Sequence, residues 1–372
     1  MKTRHLILGL LLLALVAGAG TLAWFQHLAE VAATQSGEAS TTQEFEVPQG
    51  ASLRAVLRQL QERQLVPDAR HLEWYLRFSR PDALEGRDIQ AGRYRIEPGH
   101  TPLEIIRQLV EGKVVMESVT ILEGWTFAQM RDLLASLPEL RQTLAGRSDA
   151  EIMADLGAPE VPAEGRFAPD TYSYAAGATT DLQLLRMAFE EQQRTLQEAW
   201  DARQPDLPLA TPEEALTLAS IVEKETGLAS ERSRVAGVFV NRLRRGMRLQ
   251  SDPTVIYGIR DHYDGNIRRR DLTTDTPYNT YTRAGLPPTP IALPGREAII
   301  AALNPEKTDA LFFVAIGDGS GGHYFSATYE EHSRALQRYL QRLRINALIE
   351  QQEVPAGNDA ETVAGQPASR TP

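Results

Sequence analysis

Residues 211–227 read Thr211-Pro212-Glu213-Glu214-Ala215-Leu216-Thr217-Leu218-Ala219-Ser220-Ile221-Val222-Glu223-Lys224-Glu225-Thr226-Gly227. Local signals make this a helix. Thr211 suits the N-cap, Pro212 fits the first helical position, where a missing N–H costs nothing, and Glu214 completes a capping box. Gly227 stops it. At about 100° per residue, the alanines, leucines, Ile221 and Val222 form a broad apolar arc. Thr217, Ser220 and Lys224 make a polar face. Glu223 falls at the edge of the arc and Glu225 inside it, so both carboxylates are aimed toward a core.

A buried, unpaired charge is costly, so these carboxylates need a reason. One reading pairs each with an arginine, and Arg232, Arg234, Arg242, Arg244 and Arg245 follow closely. The other reading is a general acid, kept neutral by desolvation and able to protonate a leaving oxygen. The two side chains point ~160° apart, so they cannot flank one reacting bond. A two-carboxylate site would need a second acid from elsewhere. Asp252, in Gln250-Ser251-Asp252-Pro253-Thr254, is the candidate. Its plainer reading is an N-cap for a helix over 253–259.

Downstream, Tyr278-Asn279-Thr280-Tyr281, Gly285-Leu286-Pro287-Pro288 and Pro294-Gly295 read as a long ordered loop. Its aromatic and amide groups suit sugar binding, or simply pack the loop down. Residues 311–316 read as a strand and 323–325 as its return, joined by Asp318-Gly319-Ser320-Gly321-Gly322. That glycine run lacks the ending of a phosphate loop. The seven histidines are unclustered and cysteine is absent, so no metal site, disulfide or cofactor is expected. The domain holding the helix spans 204–348, and 349–372 reads as a disordered tail.

Upstream lie a connecting subdomain (116–203) and a small α/β module (44–115). The subdomain has a strand at 119–122, a helix at 127–137, an irregular stretch at 138–174 and a helix at 181–200. In the module a strand, a proline–glycine turn and a capped helix occur twice. Phe45–Val47 leads to Pro48-Gln49-Gly50 and Ser52, and Gly92-Arg93-Tyr94-Arg95-Ile96 leads to Pro98-Gly99 and Thr101. A polar, alanine-rich linker is expected at 26–43. Residues 6–25 carry no charge and are long enough for a transmembrane helix, with the short N-terminus (1–5, holding Lys2 and Arg4) cytoplasmic and the rest outside. A cleaved signal peptide is the alternative, though its apolar core is usually shorter. The net charge of −10, without a basic cluster, argues against nucleic acid as a partner.

Taken together, these blocks resemble the endolytic murein transglycosylases, the YceG-like family. The resemblance rests on Leu122-Glu123-Gly124-Trp125-Thr126, Gly165-Arg166-Phe167-Ala168-Pro169-Asp170-Thr171-Tyr172, Ala219-Ser220-Ile221-Val222-Glu223-Lys224-Glu225-Thr226, Val238-Phe239-Val240-Asn241-Arg242-Leu243, Gly246–Thr254, Tyr278–Tyr281 and Gly285–Pro288. It covers about residues 44–345. Arg166, Ala168 and Thr289 depart from the family's usual residues. The resemblance implies an α+β protein of the cell inner membrane: an N-terminal transmembrane helix, a LysM-like module and a periplasmic α+β catalytic domain. It implies a lyase that cleaves the β-1,4 MurNAc–GlcNAc bond of nascent peptidoglycan strands, leaves 1,6-anhydro ends and works beside penicillin-binding-protein synthases. Glu223 is then the single acid/base residue and Glu225 a supporting one. Gln250, Asp252, Asn279, Thr280 and Tyr281 are the candidate substrate contacts. The competing readings are a non-catalytic peptidoglycan-binding scaffold and a hydrolase using Glu223 with Asp252.

Overall fold

The structure is a computed structural model describing residues 2–36, 41–79 and 88–353, with side chains described from residue 15 to 346. The chain divides into two units, Met1–Gln192 and Gln193–Pro372. Both are mixed α+β.

In the first unit, α1 runs Lys2–Thr34. The module follows as β1 (Gln43–Val47), α2 (Leu53–Glu62), α3 (Ala69–Trp74), β2 (Gly92–Ile96) and α4 (Pro102–Glu111). The two strand–turn–helix halves close on each other, because β1 and β2 pair antiparallel with Phe45 opposite Tyr94. Side chains alternate along a strand, so Phe45, Val47, Tyr94 and Ile96 all face one core. Against them pack Val56, Leu57 and Leu60 of α2 and Ile105, Ile106 and Leu109 of α4. Ser52 caps α2, and Thr101 with Glu104 forms a full capping box on α4.

The linker expected from residue 26 is helical as far as Thr34. Alanine is a strong helix former, and the small face of Ala29, Ala32 and Ala33 is buried by α3 and α4. Phe25 meets the ring of Trp74 edge-on at 5.0 Å. Among the described residues no helix is long and apolar enough to cross a membrane. The span expected at 6–25 lies partly outside the residues with described side chains. Its described part exposes Leu15, Val16, Leu22 and Trp24.

The rest of this unit holds β3 (Met116–Thr120), α5 (Phe127–Ser136), α6 (Asp149–Asp155), β4 (Thr171–Ala175) and the start of α7 (Asp181–Asp201). The stretch expected to be irregular contains α6, started by a Ser148–Glu151 capping box, and β4, which pairs with β3. Buried Asp181 accepts from the backbone N–H groups of Thr143 and Leu144, tying that segment to α7.

The second unit is built around α8 (Pro212–Glu225), followed by α9 (Arg232–Arg244), α10 (Asp252–Gly258), α11 (Arg269–Thr273), α12 (Arg296–Leu303), β5 (Phe312–Ala315), β6 (His323–Ser326) and α13 (Tyr329–Glu353). α12 and α9 pack on α8, and every residue from Ala215 to Val222 is buried. The polar face expected at Thr217 and Ser220 is therefore inside. Their hydroxyls are satisfied by the helix's own carbonyls, Thr217 donating to Glu213 O at 2.9 Å and Ser220 to Thr217 O at 2.7 Å. The strands expected near 311–316 and 323–325 pair antiparallel as β5 and β6.

Candidate active site

The last turn of α8 carries both glutamates, and the structure gives them different surroundings. Glu223 is half-buried, and its Oε2 accepts the N–H of Gly295 at 3.0 Å. Gly295 is the N-cap of α12, so the positive end of that helix stands at the carboxylate. One turn earlier on the same face, the Ser220 hydroxyl accepts the N–H of Ile291 at 3.0 Å. Two side chains of α8, three residues apart, thus grip the segment 291–295. This segment, expected as part of a long ordered loop, is wholly buried.

Glu225 faces α10. Its Oε1 accepts the hydroxyl of Ser251 at 2.5 Å. The residue retains some accessible surface, but its carboxylate is enclosed by protein, and the enclosure governs its ionisation. Burial pushes this carboxyl up to about 7, and the Asp252 charge adds to the rise. The Ser251 hydrogen bond and the Arg242 charge oppose it.

The arginine expected to pair with Glu225 is nearby but bonded elsewhere. Arg242 is 7% exposed; its Nε donates to Leu311 O at 2.7 Å and its Nη1 to Leu249 O at 2.6 Å. It ties α9 to two loops and acts on Glu225 through charge alone. Burial lowers the Arg242 pKa.

Asp252 is not the N-cap of α10. Ser251 holds that position; its side chain makes no capping bond, and its hydroxyl donates to Glu225. Asp252 opens the helix and accepts the Tyr281 hydroxyl at 2.6 Å. Burial, followed by this acceptor, raises the Tyr281 phenol well above its usual range.

Two candidate substrate contacts take a different role. Asn279 and Thr280 are 1% and 2% exposed. The Asn279 amide donates to the carbonyls of Asp271, Leu272 and Thr274, and its oxygen accepts the Tyr281 N–H. Thr280 Oγ1 accepts the Ser251 N–H at 3.0 Å and meets Thr254 Oγ1 at 2.8 Å. Both hold the loop together and neither reaches solvent. Gln250 is the opposite case: it is exposed and sits in the left-handed region at φ 49. That conformation is costly for a side-chain-bearing residue, and it is enforced by the bonds on either side of it. Thr289, one of the departures from the family's usual residues, meets the Tyr278 hydroxyl at 2.9 Å.

The structure thus brings Glu225, Ser251, Asp252, Tyr281 and Arg242 into one cluster, and places Glu223 with Ser220 and Gly295. Sequence reasoning missed Ser220, Ser251 and Gly295. Ser220 had a readable signal, one turn before Glu223; Gly295 had none.

The sequence model of the YceG-like family matches residues 45–338. This chain belongs to the YceG-like family. An endolytic murein transglycosylase of Bacillus subtilis (strain 168) is 29% identical over 320 residues, covering 82% of this chain and 86% of that protein. One from Streptococcus pneumoniae serotype 2 is 25% identical over 327 residues, 79% of this chain but 58% of that longer protein. The crystal structure of a YceG-like protein from Listeria monocytogenes superposes with a TM-score of 0.51 at 30% identity, covering 80% of this chain and 99% of that one. The matched region includes both unit cores and the last turn of α8.

Proposed function

We propose that this chain is an endolytic murein transglycosylase, a lyase that cleaves peptidoglycan glycan strands, with Glu223 as its acid/base residue. The observation that carries the reading is Glu223 itself: a half-buried carboxylate fixed by Gly295 at the end of a helix buried from Ala215 to Val222, in a chain whose curated relatives bear that name.

The chemistry follows from one carboxyl group. With Oε2 turned to Gly295, Oε1 delivers a proton to the leaving glycosidic oxygen. The carboxylate then takes the proton of the muramic acid C6 hydroxyl as that oxygen attacks C1. The C1–O4 bond breaks, the C1–O6 bond forms, and Glu223 ends as it began. No second carboxylate is consumed. Gln250 and Tyr281, the accessible members of the loop candidates, contact the sugars. Asp252 orients Tyr281, and Glu225 supports the wall behind them.

The uncharged run at 6–25 and the exposed Leu15, Val16, Leu22 and Trp24 support a single inner-membrane anchor, with residues 1–5 in the cytoplasm and the chain after the anchor in the periplasm. The paired strand–helix halves of residues 44–115 support a LysM-like, glycan-binding role. Work on nascent strands would bring the chain beside penicillin-binding-protein synthases.

The test is to incubate the detergent-solubilised full chain with purified sacculi and separate the products by mass spectrometry. The lyase releases fragments ending in 1,6-anhydro-muramic acid. Fragments with reducing ends would replace this reading with a hydrolase, and no fragments at all would replace it with a binding scaffold.

A further inference from the structure

A cavity of about 400 Å3 in the second unit lies among α9, β6 and α13, lined in part by Arg234, Arg334 and Arg338. Two of these guanidinium groups are stacked on rings of β6: Arg234 lies over Phe325 at 4.9 Å and Arg338 over Tyr324 at 4.7 Å. Stacking occupies the face of a guanidinium and leaves its donor edge to bind a planar anion. It also fixes the side chain beforehand, so less freedom is lost on binding.

The charges around the cavity decide what it suits. Arg234 is paired with Glu306 at 3.2 Å and Arg334 with Glu330 at 3.0 Å. Arg338 has no carboxylate partner among the described residues, and it lies one turn from Arg334 on α13, a like-charge spacing that an anion relieves. Two carboxylates also line the cavity. Glu331 is committed to the backbone N–H groups of Ala327 and Thr328, and Asp309 is exposed. A polyphosphate would be repelled by this rim. A ligand bearing carboxylates together with an amine matches it, and Tyr324, Thr308 and the buried Ser326 offer hydroxyls.

We infer that the cavity under the stacked Arg338 and Arg234 is a subsite for the carboxylate-bearing peptide attached to the glycan strand. This rests on the proposed function and adds a second recognition element to it: the strand is read through its peptide as well as its sugars. Arg338 holds a peptide carboxylate bidentately, and Asp309 faces the ligand's amine.

The test measures strand cleavage by the full chain in detergent on two substrates: strands carrying their peptides, and the same strands stripped of them by an amidase. Wild type should show the lower KM on peptide-bearing strands. Arg338→Ala should raise that KM about tenfold with kcat unchanged, matching the loss of one charge-assisted contact, and leave cleavage of stripped strands as in wild type. Arg338→Lys should recover only part, because a point charge lacks the planar fork. An unchanged KM in Arg338→Ala on peptide-bearing strands would overturn the subsite while leaving the lyase reading intact, as would equal losses on both substrates. A wild-type chain that cleaves neither substrate would overturn both.

Discussion

Ser251 gives its hydroxyl to Glu225 and not to the helix it begins. A serine at an N-cap normally satisfies one of the helix's free N–H groups. Here that bond is absent, and the hydroxyl proton goes to the enclosed carboxylate of a neighbouring helix. The exchange links α8 to α10 at the point where Asp252 and Tyr281 meet. Ser251→Ala should therefore leave Glu225 without its donor, raise its pKa further and cost about 1–3 kcal/mol of stability. Denaturant unfolding near pH 7.5 measures this. An unchanged midpoint would mean that the hydrogen bond contributes nothing.

Glu225 also links stability to pH. Its carboxyl is raised to about 7 in the folded chain from an ordinary 4.5. Between those values the folded state holds a proton that the unfolded state has lost. Its contribution is therefore fully present below about pH 4.5, declines as pH rises and is gone above about 7, a few kcal/mol in all. The charges of Asp252 and Arg242 act on the same carboxylate and set where the decline falls. Glu225→Gln keeps an acceptor for Ser251 and cannot ionise. Relative to wild type it should gain stability between pH 5 and pH 8. Parallel stability curves for the two proteins would contradict this.

Arg242 should be irreplaceable by lysine. Its two bonds to Leu311 O and Leu249 O use different nitrogens of one planar group. Arg242→Lys cannot satisfy both carbonyls and should lose about 2–4 kcal/mol. Thermal unfolding followed by circular dichroism is the measurement, and a wild-type Tm would refute the role.

Asn279 and Tyr281 should separate scaffold from site. Asn279→Ala leaves three loop carbonyls without their donor and should cost about 2–3 kcal/mol. Tyr281→Phe removes only the bond to Asp252, so it should leave the fold near wild type and lower turnover about tenfold. The opposite pattern, with Asn279→Ala stable but inactive and Tyr281→Phe fully active, would reverse the assignment.

The sequence announced what depends on neighbouring residues. Thr211 and Pro212 started α8, the repeated strand–turn–helix pattern gave the first module, and 311–325 gave the hairpin of β5 and β6; the stop expected at Gly227 falls earlier, with Thr226 as an extended C-cap. Partners distant in the chain were not legible. The bond from Gly295 to Glu223 spans 72 residues. Nothing near Asn279 showed that its amide turns inward to three carbonyls, while Gln250 turns out. The polar face assigned to α8 failed for a related reason: a hydroxyl that bonds its own helix can be buried at little cost, and a helical wheel cannot see that. The residues 26–34 were misread because alanine suits both a linker and a packed helix.

Glu223 is the centre of the account, and one substitution tests it most directly. Glu223→Gln preserves size and can still accept from Gly295, but it cannot exchange a proton. The full-length variant should unfold like wild type, bind sacculi and release no detectable 1,6-anhydro-muropeptides. A folded Glu223→Gln that releases them at the wild-type rate would contradict the account.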